Sequence, residues 1–167
     1  KMVIVIGASS FIGVYTVDEF LKQGCKVVVT GRNNKFKEHY DRLGVEYINL
    51  DLANKSDFDK LPKNDVDGVV LLAGLLPANA EVNLDVDENA DEYFSINTIG
   101  TINVLEYCRK NNINRVISNC SYADVRGAWG KKVITEDEPR DFIYKGDHAV
   151  YVFSKNAAND TMEYYNQ

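Results

Sequence analysis

Tyr151 and Lys155 stand four positions apart in Tyr151-Val152-Phe153-Ser154-Lys155, and Gly7-Ala8-Ser9-Ser10-Phe11-Ile12-Gly13 opens the same chain. Residues four apart share one face of a helix, so the Lys155 ammonium stands where it favours the ionised form of the Tyr151 phenol. A phenol held in that way exchanges protons near neutral pH. The glycine-spaced turn lets backbone amides at a helix start approach a pyrophosphate, with Gly7 and Gly13 removing side-chain obstruction. Together the two motifs point to nicotinamide chemistry. Taken singly, each has a plainer reading: a packing Tyr beside a solvated Lys, and a helix cap beside a turn.

Two details of the turn bear on the cofactor. Ser10 occupies the place of a middle glycine, where its hydroxyl either donates to a phosphate oxygen or its Cβ pushes the cofactor away. After the second strand, an acidic residue would accept from the adenosine ribose and repel a 2′-phosphate, but Gly31-Arg32 stands there. A guanidinium beside a small residue clamps a phosphate, which favours NADP over NAD; the alternative is a solvated Arg next to a simple turn.

The elements that must carry these residues alternate. Met2 to Ile6 reads as a strand, Phe11 to Gln23 as a helix stopped by Gly24, and Lys26 to Thr30 as a second buried strand. Lys35 to Leu43 reads as a helix, Val45 to Leu50 as a strand, Ser56 to Leu61 as a short helix and Gly68 to Ala73 as a fourth strand. Asp87 to Asn111 reads as one long helix, Arg115 to Asn119 as a fifth strand and Val150 to Tyr165 as a last helix. Strands this apolar on both faces predict an α/β fold, a doubly wound, Rossmann-like parallel sheet with its ligand crevice at the carboxyl ends of the strands. Residues 1–167 are expected to form one nucleotide-binding domain. Because the chain stops just after a helix, a carboxyl-terminal substrate domain is expected to be missing from it.

The 167 residues carry a formal net charge of −6 and 45% hydrophobic residues, which fits a globular domain with a full core. No basic face is visible, so nucleic acid is not an expected partner. Cys25, Cys108 and Cys120 lack the spacing of a zinc site or a disulfide framework, and no apolar run approaches the length of a membrane span. The expectation is a cytoplasmic protein without a metal. His39 in a charged helix and His148 in an acidic loop read as solvated, Cys120 as a small core residue or else a reactive thiol near the cofactor, and Glu136-Asp137-Glu138 as a solvated loop.

In order and spacing the motifs resemble the extended short-chain dehydrogenase/reductase family, specifically its NAD-dependent epimerase/dehydratase group. Besides the glycine turn and the Tyr151/Lys155 pair, the likeness rests on Asp51-Leu52, Leu72-Ala73-Gly74, and Asn97 with Gly100-Thr101 and Asn103-Val104-Leu105. The resemblance implies adenine contacts at Asp51 and Leu52 and a cofactor-flanking segment at Leu72, Ala73 and Gly74. It also implies a hydride passed between the nicotinamide and a nucleotide-sugar carbon, with Tyr151 moving the proton, Lys155 holding the nicotinamide ribose and Asn97 supporting a relay. A homodimer built on the helices from Asp87 and Val150 is a further expectation from the resemblance.

One stretch departs from the family pattern. Its Ser or Thr beyond the fifth strand is replaced by Tyr122, with Ser121 one place earlier and Arg126 before Gly127. A phenol donates a hydrogen bond as a hydroxyl does but reaches farther from its backbone. Ala123 follows Tyr122 where dehydratases of the group carry an acid, which disfavours dehydration and leaves epimerase or reductase chemistry. The alternative function is an NADP-binding sensor or scaffold without turnover.

Overall fold

The computed structural model describes residues 1–77, 90–121, 125, 127–141 and 149–167. Five parallel strands form one sheet in the order β3-β2-β1-β4-β5: β1 (Met2–Ile6), β2 (Lys26–Gly31), β3 (Glu46–Asn49), β4 (Gly68–Leu71) and β5 (Val116–Ser118). The doubly wound expectation therefore holds. The order reverses between β1 and β4, which opens a crevice at the carboxyl ends of those two strands.

Strand β1 shows why the Val and Ile runs are continuous. Met2, Ile4 and Ile6 belong to one core cluster with Leu52, Phe58, Val104 and Tyr107, whereas Val3 and Val5 belong to a second with Val17, Val29 and Tyr40. Alternate side chains leave opposite faces of a strand, and here both faces are covered. On the second face lie α1 (Phe11–Lys22) and α2 (Lys37–Arg42), the latter entered through a 3₁₀ turn at Asn34–Phe36. A 3₁₀ turn at Lys55–Lys60 replaces the expected short helix after β3.

The expected long helix is not uniform. Within the described residues it comprises α3 (Ala90–Tyr93), a π-helical segment (Phe94–Ile99) and α4 (Gly100–Lys110). Periodicity alone does not reveal such a widened turn, which forms where tertiary hydrogen bonds outweigh the regular ladder. The last helix, α5 (Ala149–Tyr165), packs beside it and contributes Val150 to a third cluster with Leu75 and Tyr93. No helix among the described residues is long and apolar enough to cross a membrane.

Helix α4 seats itself on the segment after β3. A β-carbon added at Gly100 would lie 2.8 Å from Leu52 Cβ, and Asn103 Nδ2 donates to the Leu52 carbonyl at 2.8 Å. Gly100→Ala is therefore expected to lose about 1–3 kcal/mol through overpacking, read as a lower urea midpoint at unchanged slope.

Candidate active site

At the switch point the chain leaves a cavity of about 440 Å³. Its walls include Gly7, Ser9, Ser10, Phe11 and Ile12 from the first turn, Gly31 at the end of β2 with Arg32 after it, and Asp51 and Leu52 after β3. Leu72, Ala73 and Gly74 after β4 and both Tyr151 and Lys155 of α5 complete it. Residues from five separate stretches of sequence thus meet as expected. Gly13 lies beneath the turn rather than on the cavity wall; a β-carbon there would stand 2.8 Å from Ala8 Cα. At Gly7, with φ of +92°, a β-carbon would lie 2.5 Å from Ala73 N, so the turn sits directly against the exit of β4.

The Ser10 hydroxyl is engaged within the turn itself. It is the N-cap of α1: its Oγ accepts from Gly13 N at 3.0 Å and donates to the Gly7 carbonyl at 2.8 Å. The hydroxyl proton is directed inward, so it is not presented to a phosphate. Since the first turn of a helix has no intrahelical partners for its amides, those of Phe11 and Ile12 are the ones left to face an anion.

The opposite end is held by α5. Lys155 is only 9% exposed, and its Nζ donates to the Asn119 carbonyl at 3.1 Å. Burial pushes its ammonium below the ordinary 10.5, against a smaller opposing pull from Cys120. Tyr151 is half-buried and meets Tyr93 edge to face, with ring centroids 6.5 Å apart. Tyr93 is fully buried and its hydroxyl has no hydrogen-bond partner among the described residues; burial first, then Glu92 and Tyr151, pushes that phenol up.

Asn97 lies in the π-helical segment and is buried. Its Oδ1 accepts from Leu75 N at 2.7 Å, and its Nδ2 donates to the Leu75 carbonyl at 3.1 Å and to Ser154 Oγ at 3.0 Å. The Ser154 hydroxyl in turn donates to the Tyr151 carbonyl at 2.7 Å, and Thr98 Oγ1 donates to the Ser154 carbonyl at 2.8 Å. Asn97 is thereby a tie between β4, the π-helical segment and α5, and it is not on the cavity wall, where Ile96 is.

Other expected residues fall in different places. Asp51 keeps its side chain local, accepting from Ala53 N at 2.9 Å, while Leu52 is buried. Ser121 is half-buried just beyond β5 and is not among the wall residues. Tyr122, Ala123, Asp124, Arg126 and His148 lie outside the described residues. Cys120 is a correction: it is exposed, not core, and its Sγ lies 3.4 Å from Asn159 Oδ1. The strand ends one residue before Asn119, so Cys120 is already past the sheet's cover. Sequence reading did not single out Asn119 or Ser154. The position of Asn119 at the carboxyl end of a parallel strand was the available signal for the first.

A profile of the NAD dependent epimerase/dehydratase family matches residues 3–167. A UDP-glucose 4-epimerase of Pisum sativum is 32% identical over 149 residues, 82% of this chain and 41% of that protein. Among solved structures, Thermus thermophilus UDP-glucose 4-epimerase in complex with NAD superposes with a TM-score of 0.80 at 23% identity, covering 100% of this chain and 51% of the other. Yeast methylglyoxal/isovaleraldehyde reductase Gre2, complexed with NADPH, gives 0.75 at 19% identity, covering 99% and 52%. The chain spans about half the length, or less, of most of the curated relatives it matches.

Two outcomes follow from the geometry. Ser10→Ala, which removes the cap, is expected to cost about 0.5–2 kcal/mol in urea unfolding, and Ser10→Gly only a few tenths. For Lys155, the folded pKa lies below the unfolded one, so between them the unfolded chain binds a proton that the folded chain has released and stability rises with pH. Below that window the native protein carries the whole cost of a buried ammonium. Lys155→Met should melt higher than the native protein at neutral pH, and the gap should close as pH climbs towards 10.5 in paired melting curves.

Proposed function

The chain belongs to the NAD dependent epimerase/dehydratase family, and on that premise we propose that its crevice binds NADP, or NAD, and serves an epimerase or reductase acting on a nucleotide sugar. The observation that carries the proposal is the meeting of Tyr151 and Lys155 with the Gly7–Ile12 turn in one cavity. The residues present fit a dinucleotide. Gly7 and Gly31 keep side chains out of the path, the amides of Phe11 and Ile12 face the pyrophosphate position, and Arg32 stands exposed at the adenosine end.

When bound, the nicotinamide supplies the acceptor and donor of hydride. Tyr151 takes or returns the proton of the sugar hydroxyl. The Lys155 ammonium, poorly solvated and directed by the Asn119 carbonyl, holds the nicotinamide ribose and favours the phenolate over the phenol. Asn97 and Ser154 act as positioning residues that fix α5 against β4. Arg32 accommodates the 2′-phosphate, which supports NADP over NAD. Phe94, Ile99 and Phe153 are exposed on the two helices from which the family likeness leads us to expect a homodimer.

The test takes the intact protein with UDP-sugars and both cofactors. Tyr151→Phe is expected to lower kcat by about 10²–10⁴-fold with cofactor affinity retained, and Arg32→Ala to weaken NADP much more than NAD. Tight cofactor binding with no turnover, unaffected by Tyr151→Phe, would replace the enzyme with a sensor. Equal losses for the two cofactors in Arg32→Ala would remove the NADP assignment.

A further inference from the structure

Gly31 occupies the position from which an acidic side chain would reach the adenosine ribose. It is buried, and on β2 it shares a face with Val29, which pairs with Tyr47 of β3. Neighbouring strands place residues two positions apart within reach of a long aromatic side chain. The Tyr47 ring uses that reach. A β-carbon built on Gly31 falls inside the contact distance of the Tyr47 hydroxyl oxygen, 3.0 Å from its Cζ and 3.4 Å from Ser9 Oγ. The space beside residue 31 is already filled by a phenol.

That phenol is not a loose end that swings aside. Its hydroxyl donates to the Asn33 carbonyl, which belongs to the same β2–α2 connection as Arg32. The ring lies nearly parallel to that of Tyr40, with an interplanar angle of 21° and centroids 6.0 Å apart. Tyr40 is fully buried and donates to the Ala8 carbonyl at 2.5 Å, so the pair is braced against the first turn. Moving the Tyr47 ring would break its bond to Asn33 and disturb this stack.

We propose that Tyr47 is a specificity-determining residue for the cofactor, because its hydroxyl excludes any side chain, and a carboxylate in particular, from position 31. The effect is indirect. Tyr47 does not line the cavity; it dictates that residue 31 offers no acceptor to the 2′-hydroxyl and no charge against a 2′-phosphate. Arg32 then acts without a carboxylate beside it. The inference rests on the dinucleotide reading given above and adds a residue from the neighbouring strand to it.

A double-mutant cycle in the intact protein tests it, with melting temperature and the Kd of NADP+ and of NAD+ as readouts. Gly31→Asp alone should lower the melting temperature and weaken both cofactors. Tyr47→Val with Gly31→Asp should recover the melting temperature relative to Gly31→Asp and bind NAD+ about tenfold more tightly than NADP+. Gly31→Ala gives the same steric reading with the smallest side chain: it should lower the melting temperature in the native background and leave it unchanged in the Tyr47→Val background. If Gly31→Asp alone melts like the native protein and already prefers NAD+, or if the Ala cycle is additive, Tyr47 is not the gate and the inference falls alone. If the native protein binds neither cofactor, the dinucleotide reading falls and takes the specificity role with it.

Discussion

The placement of Tyr151 and Lys155 depends on one buried amide. Asn97 satisfies both backbone groups of Leu75 and reaches Ser154, the residue between Tyr151 and Lys155 in the helix. Leaving a buried donor or acceptor without a partner costs about 1–3 kcal/mol for each group, so the exit of β4 and the face of α5 are joined by more than surface contact. The widened helical turn at Phe94–Ile99 carries Asn97, and Thr98 beside it takes the Ser154 carbonyl. That tie adds directed bonds to the apolar packing of Val150 against Leu75 and Tyr93.

Around this tie the site trades stability for geometry. A buried ammonium at Lys155 is unfavourable, and its bond to the Asn119 carbonyl offsets only part of the desolvation. Tyr93 adds a second such cost, a buried hydroxyl with no hydrogen-bond partner among the described residues, packed against Tyr151. Glycines serve the same end by steric means: Gly7 admits Ala73, Gly31 admits Tyr47 and Gly100 admits Leu52.

Much of this was legible in the residues. The Val and Ile runs gave the strands because both faces of β1 are buried, and Gly24 and Gly44, each with positive φ, ended the helices where expected. Most of the turn, the residues singled out at the ends of β2, β3 and β4 and the Tyr151/Lys155 pair all stand on the cavity wall, whereas Gly13 and Ser121 do not. The widened turn was not, since Asn97 makes it worthwhile only through partners 22 and 57 positions away. The role of Ser10 depended on where the Gly7 carbonyl points, which spacing does not encode. Gly31 read as an absent acid, whereas its cause, Tyr47, lies on another strand.

The two ends of the crevice are governed by different elements, yet one rod touches both. At Gly100 and Asn103 it seats Leu52, part of the wall beside Asp51, and at Asn97 and Thr98 it holds Leu75 and Ser154 on the side of Tyr151 and Lys155. Helical backbone advances roughly 1.5 Å per residue and resists compression. A few residues of one helix therefore act as a ruler between the wall beside Asp51 and the Tyr151/Lys155 pair. This explains why the helix is anchored at both places by buried amides rather than by apolar packing alone: packing tolerates a slide along the helix axis, whereas directed bonds from Asn97 and Asn103 do not. The span available to a dinucleotide is then a property of the chain itself, set before any ligand arrives.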